Sequence, residues 1–255
     1  MSIFKEIKGM GEDVIVIHGW GCNHLDMHPV VEQLAKHYRV TNIDLPGVGS
    51  SDWDLDTDTI YDIAEQVLPD LPERAIYVGW SFGGLVSMAI AARHPECVKR
   101  FIGIGTTPKL IAAENWLGFP QPGFAVAFDS VRKHGLKALL TEDYATEFAK
   151  ISPKPSQFNV LNHFLAQSPE IPQEILFKGI EICDSTDLRK EFAAMQCPID
   201  LIMGEEDVKV LFASATQLQA LNPKIKIHNI AEARHMPFWT HPEKFNHILK
   251  EILKS

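Results

Sequence analysis

The segment Gly79-Trp80-Ser81-Phe82-Gly83-Gly84 places one hydroxyl between glycines. Small residues two positions either side of Ser81 suit a sharp strand-to-helix turn, where the two elements pass too close for side chains. Such a turn lifts the Ser81 hydroxyl into a cleft and points the backbone N–H of Phe82 at the same space. A serine hydroxyl is a poor nucleophile until a base takes its proton, so chemistry here requires a histidine and an acid to orient it. Taken alone, the pentapeptide describes equally well a tight turn whose serine caps a helix.

The partners are present further along the chain. Gly204-Glu205-Glu206-Asp207 leaves the apolar run 199–203, and Ala233-Arg234-His235 follows the run 225–230. If these runs are parallel strands, Ser81, Asp207 and His235 all sit at carboxyl ends and share one rim of the sheet. Serine, acid, histidine is also the chain order of one scaffold that carries such triads. Glu205 and Glu206 are competing acids placed earlier in the loop. His228, His241 and His247 are competing bases, one within a strand and two at the closing helix. Nearer the start, His18-Gly19-Trp20-Gly21 offers a glycine-bearing loop whose Trp20 N–H is a candidate oxyanion donor beside that of Phe82. Cys22 adjoins this loop and reads as a small structural residue.

These residues need a scaffold, and the pattern supplies one. Asp13–His18, Val40–Asp44, Ala75–Val78, Phe101–Gly105, Ile199–Gly204 and Ile225–Ile230 are short β-branched or apolar runs of the kind buried in a parallel sheet. Helical stripes lie between them: Val30, Val31 and Leu34; Ile60, Ile63, Ala64, Val67 and Leu68; Leu85, Met88, Ala89 and Ala92. A further helix spans Ala213–Leu221, and a last one runs from Pro242 with Phe245, Ile248, Leu249 and Ile252 on one face. Strand and helix alternate as far as residue 105, which implies right-handed crossovers in an α/β fold. From 106 to 186 the alternation stops, and prolines and aromatic residues punctuate short helical patterns. The expected organisation is an α/β core of residues 1–105 and 187–255 with a helical cap inserted at 106–186.

Composition excludes several classes. A net charge of −9 over 255 residues is not that of a general nucleic-acid binder. Four cysteines at 22, 97, 183 and 197 have neither zinc-type spacing nor a disulfide framework, so no metal or other cofactor is implied. Asp44-Leu45-Pro46-Gly47-Val48-Gly49 lacks the lysine of a phosphate loop and reads as a rigid turn. With neither a secretory leader nor an apolar run of about 18 residues, a monomeric cytoplasmic protein independent of membranes is expected.

In order along the chain, His18-Gly19-x-Gly21, Asp44-x-Pro46-Gly47-x-Gly49-x-Ser51, Gly79-x-Ser81-x-Gly83-Gly84, Gly204-x-x-Asp207 and His235-x-Pro237 resemble the α/β-hydrolase superfamily over nearly the whole length. That resemblance implies a mostly parallel central sheet flanked by helices, with Ser81 as nucleophile, His235 as base and Asp207 as its orienting acid. It also implies that the amides of Phe82 and Trp20 receive the oxyanion. Aspartate would stand at position 81 in the dehalogenase and epoxide hydrolase relatives. Within the superfamily, Gly79-Trp80-Ser81, Gly179-x-Glu181-Ile182, Asp187-Leu188-Arg189 and His235-x-Pro237-Phe238 resemble the carboxylesterases of biotin synthesis.

These enzymes hydrolyse the methyl ester of a pimeloyl chain on acyl-carrier protein, which would be this chain's partner, and small esters would also be substrates. Phe128 and Phe148 are the candidate acyl contacts. Arg132, Lys133, Lys137, Lys150 and Lys154 form a candidate basic face for an acidic carrier, although Glu142, Asp143 and Glu147 are interleaved with them. A broad short-chain carboxylesterase and a carbon–carbon bond hydrolase stand as alternatives with the same triad. A non-catalytic binding module is a third, disfavoured by three intact chemical groups.

Overall fold

The computed structural model describes residues 2–54, 56–148 and 170–254. Its β-branched runs form one sheet of seven strands: β1 (Lys5–Lys8), β2 (Glu12–Ile17), β3 (Tyr38–Ile43), β4 (Ala75–Trp80), β5 (Val98–Ile104), β6 (Ile199–Gly204) and β7 (Lys226–Ile230). The spatial order is β1-β3-β2-β4-β5-β6-β7. β1 runs antiparallel to β3, and every other pairing is parallel. The edge strand β1 is missing from the sequence expectation because Lys5, Glu6 and Lys8 mask it and its Ile7 remains exposed. Pairing of Lys5 with Ile43 through Lys8 with Val40 defines it instead.

The helices are α1 (His28–Leu34), α2 (Ile60–Val67), α3 (Phe82–Arg93), α4 (Gln121–His134), α5 (Leu136–Phe148), α6 (Gln173–Ser185), α7 (Arg189–Ala194), α8 (Ala215–Leu221), α9 (Pro237–Thr240) and α10 (Pro242–Lys254). Successive residues of a strand point to opposite faces, so β2 feeds two cores at once. Ile15 and Ile17 pack with residues of α2, α3, α7 and α8. Val14 and Val16 pack with residues of α1 and α10. Burial on both faces is why the parallel strands read as continuous apolar runs. α3 shows no one-sided stripe: Phe82 to Ala91 are all buried, because the helix is enclosed on every side. α10 has one apolar face, where Phe245, Leu249 and Ile252 are buried.

The strand order reverses beside β2. The chain leaves β2 for β3 on one side and then crosses to β4 on the other. Such a reversal opens a crevice beyond the carboxyl ends of the two central strands. Ile17 of β2 is paired with Gly79 of β4, so the loops beginning at His18 and Ser81 emerge side by side.

Between β5 and β6 the chain forms α4 to α7. Gly135 alone joins α4 to α5, with φ 81° and ψ 164°, a region essentially reserved for glycine. Leu188, at the start of α7, bonds back to the carbonyl of Pro108, and Phe192 is fully buried against the core. Among the described residues no helix is long and apolar enough to cross a membrane.

Candidate active site

Ser81 occupies the turn between β4 and α3 with φ 53° and ψ −115°, a region that a residue with a Cβ rarely enters. The strain is held from both sides. Ser81 N–H donates to the carbonyl of Ile104 at 2.9 Å, and Thr106 Oγ1 donates to the carbonyl of Ser81 at 2.8 Å. The flanking glycines are required by contact. A Cβ on Gly79 would stand 2.5 Å from the carbonyl oxygen of Gly83, and one on Gly83 would stand 2.3 Å from that of Ile17. α3 therefore starts almost against the end of β2, which pushes the Ser81 side chain outward.

Asp207 and His235 meet at the same rim. The Asp207 Oδ2 lies 2.7 Å from His235 Nδ1. The other carboxylate oxygen accepts the N–H groups of Lys209 at 2.8 Å and Val210 at 3.0 Å, which fixes the rotamer. Both side chains are almost wholly buried. A buried carboxylate accepts only, so the His235 Nδ1 carries a proton and the other ring nitrogen is left as the basic one. Trp80 holds the loop from below: its indole N–H donates to the His235 carbonyl at 3.0 Å, and its ring lies 5.6 Å from the imidazole. Among the described residues Ser81 Oγ is not hydrogen bonded to the ring. Such contacts characteristically tighten only with substrate bound.

The competing groups are elsewhere. Asp207, not Glu205 or Glu206, touches the imidazole. His228 bonds Asp200, near the opposite end of β6 and shared with Arg100. His241 pairs with Thr240. Cys22 is buried and lines the cavity described below.

The loop after β2 is braced by His18. Its Nε2 accepts the Leu45 N–H at 3.0 Å, so the proton sits on Nδ1, which donates to the Gly19 carbonyl at 2.7 Å. Full burial keeps the ring neutral, with its pKa pushed down to about 4 against the pull of Asp44. Asp44 itself accepts from the backbone and the ring of His24. Gly49 comes so near this carboxylate that a Cβ there would stand 2.3 Å from it. The glycine-rich turn at 44–51 is thus a brace.

The backbone N–H groups of Trp20 and Phe82 donate to no other group among the described residues. Phe82 opens α3, where helix geometry leaves the amide without an intrahelical acceptor. The Trp20 indole is otherwise engaged, donating to the Leu176 carbonyl of α6 at 3.1 Å. Its ring lies so close to α6 that a Cβ on Gly179 would stand 2.7 Å from it.

Ser81, His235, Trp20 and Phe82 line one cavity of about 170 Å³. Leu85 and Leu110 form part of its apolar wall, and Leu139, Leu140 and Ile180 contribute from α5 and α6. The expected acyl contacts Phe128 and Phe148 are not among its lining residues. Phe128 turns to stack on Phe177 at 4.5 Å, joining α4 to α6. Phe148 ends α5 and packs against the core that contains α1 and α10. Which face a helix presents depends on its partners, and these aromatic positions served helix packing.

Three polar lining residues were not read as part of the site from the sequence, where Asp143 and Glu147 figured only as acids among the basic residues. Asp143 and Glu147 of α5 and Lys209 of the Asp207 loop border the cavity. Lys209 Nζ bonds Asp143 Oδ2 at 2.6 Å. Burial works to lower the Lys209 pKa, but Asp143, with Glu147 and Asp207 nearby, raises it overall. Glu147 accepts the N–H groups of His235 and Met236 at 3.2 and 3.1 Å. Leu139, Leu140, Asp143 and Glu147 share one helical face, a spacing that could have revealed them.

A family model described as alpha/beta hydrolase fold matches residues 14–242. A curated protein of Aeromonas hydrophila named pimeloyl-[acyl-carrier protein] methyl ester esterase is 31% identical over 256 residues, covering 99% of this chain and 100% of that protein. One of the same name from Yersinia pseudotuberculosis is 32% identical over 238 residues, or 91% of this chain and 90% of that one. Among solved structures, an esterase from Exiguobacterium antarcticum superposes with a TM-score of 0.88 at 21% identity, covering 99% of this chain and 96% of that one. The enol-lactonase from Burkholderia xenovorans gives a TM-score of 0.84 at 23% identity, with coverage of 99% and 96%.

Proposed function

The chain belongs to the alpha/beta hydrolase family and is a carboxylic ester hydrolase, and we propose that it is a serine esterase acting on the methyl ester of pimeloyl-acyl-carrier protein. The observation that carries the chemistry is the His235–Asp207 contact of 2.7 Å beside a strained Ser81 on one cavity. In this reading His235 takes the Ser81 proton as Oγ attacks the acyl carbon. The amides of Phe82 and Trp20 hold the oxyanion, and removal of one such donor costs about 2.7–4 kcal/mol. Collapse breaks the bond to the alkoxy oxygen, which His235 protonates, and methanol leaves. Water then repeats the sequence on the acyl-enzyme, returning the proton to Ser81 and freeing a carboxylate.

The substrate assignment draws on the curated relatives' names and on an apolar cavity suited to an alkyl chain. The helices between β5 and β6 serve as the cap. Arg132, Lys133 and Lys137 are exposed on α4 and α5 and offer the acidic carrier a basic face, within a step of biotin synthesis. Lys150 and Lys154 lie outside the described residues. The experiment is a comparison of kcat/KM on the carrier-linked pimeloyl methyl ester and on a small soluble methyl ester, with fluorophosphonate labelling of the parent and of Ser81→Ala. The reading expects a strong preference for the carrier-linked ester and label on the parent only. Equal turnover of both esters would favour a broad short-chain esterase, and an unlabelled, inactive parent would favour a binding module.

A further inference from the structure

Glu147 is the buried acid that the proposed reaction does not use. It lies on α5, in the stretch between β5 and β6, and only 9% of its surface is exposed. Burying a carboxylate is costly unless its oxygens find donors. Here the donors are two consecutive backbone N–H groups, those of His235 to Oε1 and Met236 to Oε2. A second tie lies one turn earlier, where Asp143 holds Lys209 two residues beyond Asp207. One face of α5 thus grips both loops that supply the imidazole and its acid.

We propose that Glu147 is a positioning residue: its carboxylate fixes the His235–Met236 backbone, so that the imidazole is aimed at Ser81 only while α5 is seated over the sheet. The proposal rests on the reading of His235 as the base. Two acceptor oxygens facing two N–H groups demand the ionised side chain. Glutamine of the same shape could accept only one of them and would turn its NH2 against the other. Burial holds the Glu147 pKa above its ordinary value although His235 and Lys209 pull it down, and Asp207 adds to the rise; Asp143 faces the cluster through Lys209.

The test uses Glu147→Gln, Glu147→Asp and His235→Ala in the full chain, with kcat and KM measured separately on a small soluble methyl ester. Thermal unfolding checks that each variant is folded. Misplacement of a reacting group by an ångström can cost about 10²-fold, and Glu147→Gln is expected to lower kcat by about 10-fold or more with KM within about threefold. Glu147→Asp keeps two acceptor oxygens and should recover kcat in part. A folded Glu147→Gln with parental kcat, or one whose KM rises as much as its kcat falls, or a Glu147→Asp no better than Glu147→Gln, overturns the positioning role while His235→Ala remains inactive. Parental activity in His235→Ala overturns the assignment of the base, and this inference with it.

Discussion

Asp207→Asn preserves shape but presents an amide to the His235 Nδ1 that Asp207 now meets at 2.7 Å. An amide NH2 there selects the wrong imidazole tautomer, and kcat on a methyl ester is expected to fall by about 10⁴-fold with little change in KM. His18 gives a prediction of a different kind, about stability. Its ring is held near a pKa of about 4 in the fold and titrates near its ordinary 6.5 once unfolded. Between these values the unfolded chain binds more protons, so this contribution is complete above about pH 6.5 and is lost as pH falls toward 4, by about 3 kcal/mol at most. Urea unfolding across that range should show the slope in the parent and a shallower one in His18→Asn, where only an amide replaces the ring. Single residues were legible where chemistry restricts the alphabet. The Ser81 turn announced itself through its glycines, and the Asp207–His235 contact through two strand exits. Glu147 was not legible, because an acid among lysines on a helix reads as solvated until the helix is docked.

At the scale of elements, two glycines with different duties make a sharp contrast. Gly83→Ala would drive a Cβ to 2.3 Å from the backbone oxygen of Ile17 and 2.6 Å from that of His18. Backbone cannot yield as a side chain can, so a loss of about 3 kcal/mol or more in unfolding free energy is expected. Gly135→Ala meets nothing within 4 Å and pays only for its backbone conformation, about 1–3 kcal/mol, without any steric clash. Chemical denaturation of both variants checks the ranking, and equal losses would contradict the account of why α3 lies so near β2. Parallel strands were legible because burial on both faces writes an uninterrupted apolar run. β1 was not, since its pairing rests on backbone bonds to β3 rather than on its own side chains. The facing of α4 was likewise hidden, as Phe128 could be assigned to α6 rather than to the cavity only once both helices were placed.

For the whole molecule, net charge −9 opposes an acidic partner, so the proposed carrier would have to approach a locally basic surface. Exposed charges are screened over roughly 8 Å at physiological salt. If Arg132, Lys133 and Lys137 receive the carrier, KM for the carrier-linked ester should rise steeply with added salt, while kinetics on a small ester stay flat. Replacing the three by alanine should abolish that salt dependence. The position of β7 has a further consequence. Among the described residues it is the outermost strand at its edge of the sheet, bonded to β6, and the loop carrying His235 leaves from its end. On the proposed role of His235, ester turnover depends on an edge strand held by one described neighbour. The same peripheral placement makes it an early point of fraying on warming. Ester turnover should accordingly fade some degrees before the far-ultraviolet dichroism of the helices collapses, and coincident midpoints would show that the edge melts only with everything else.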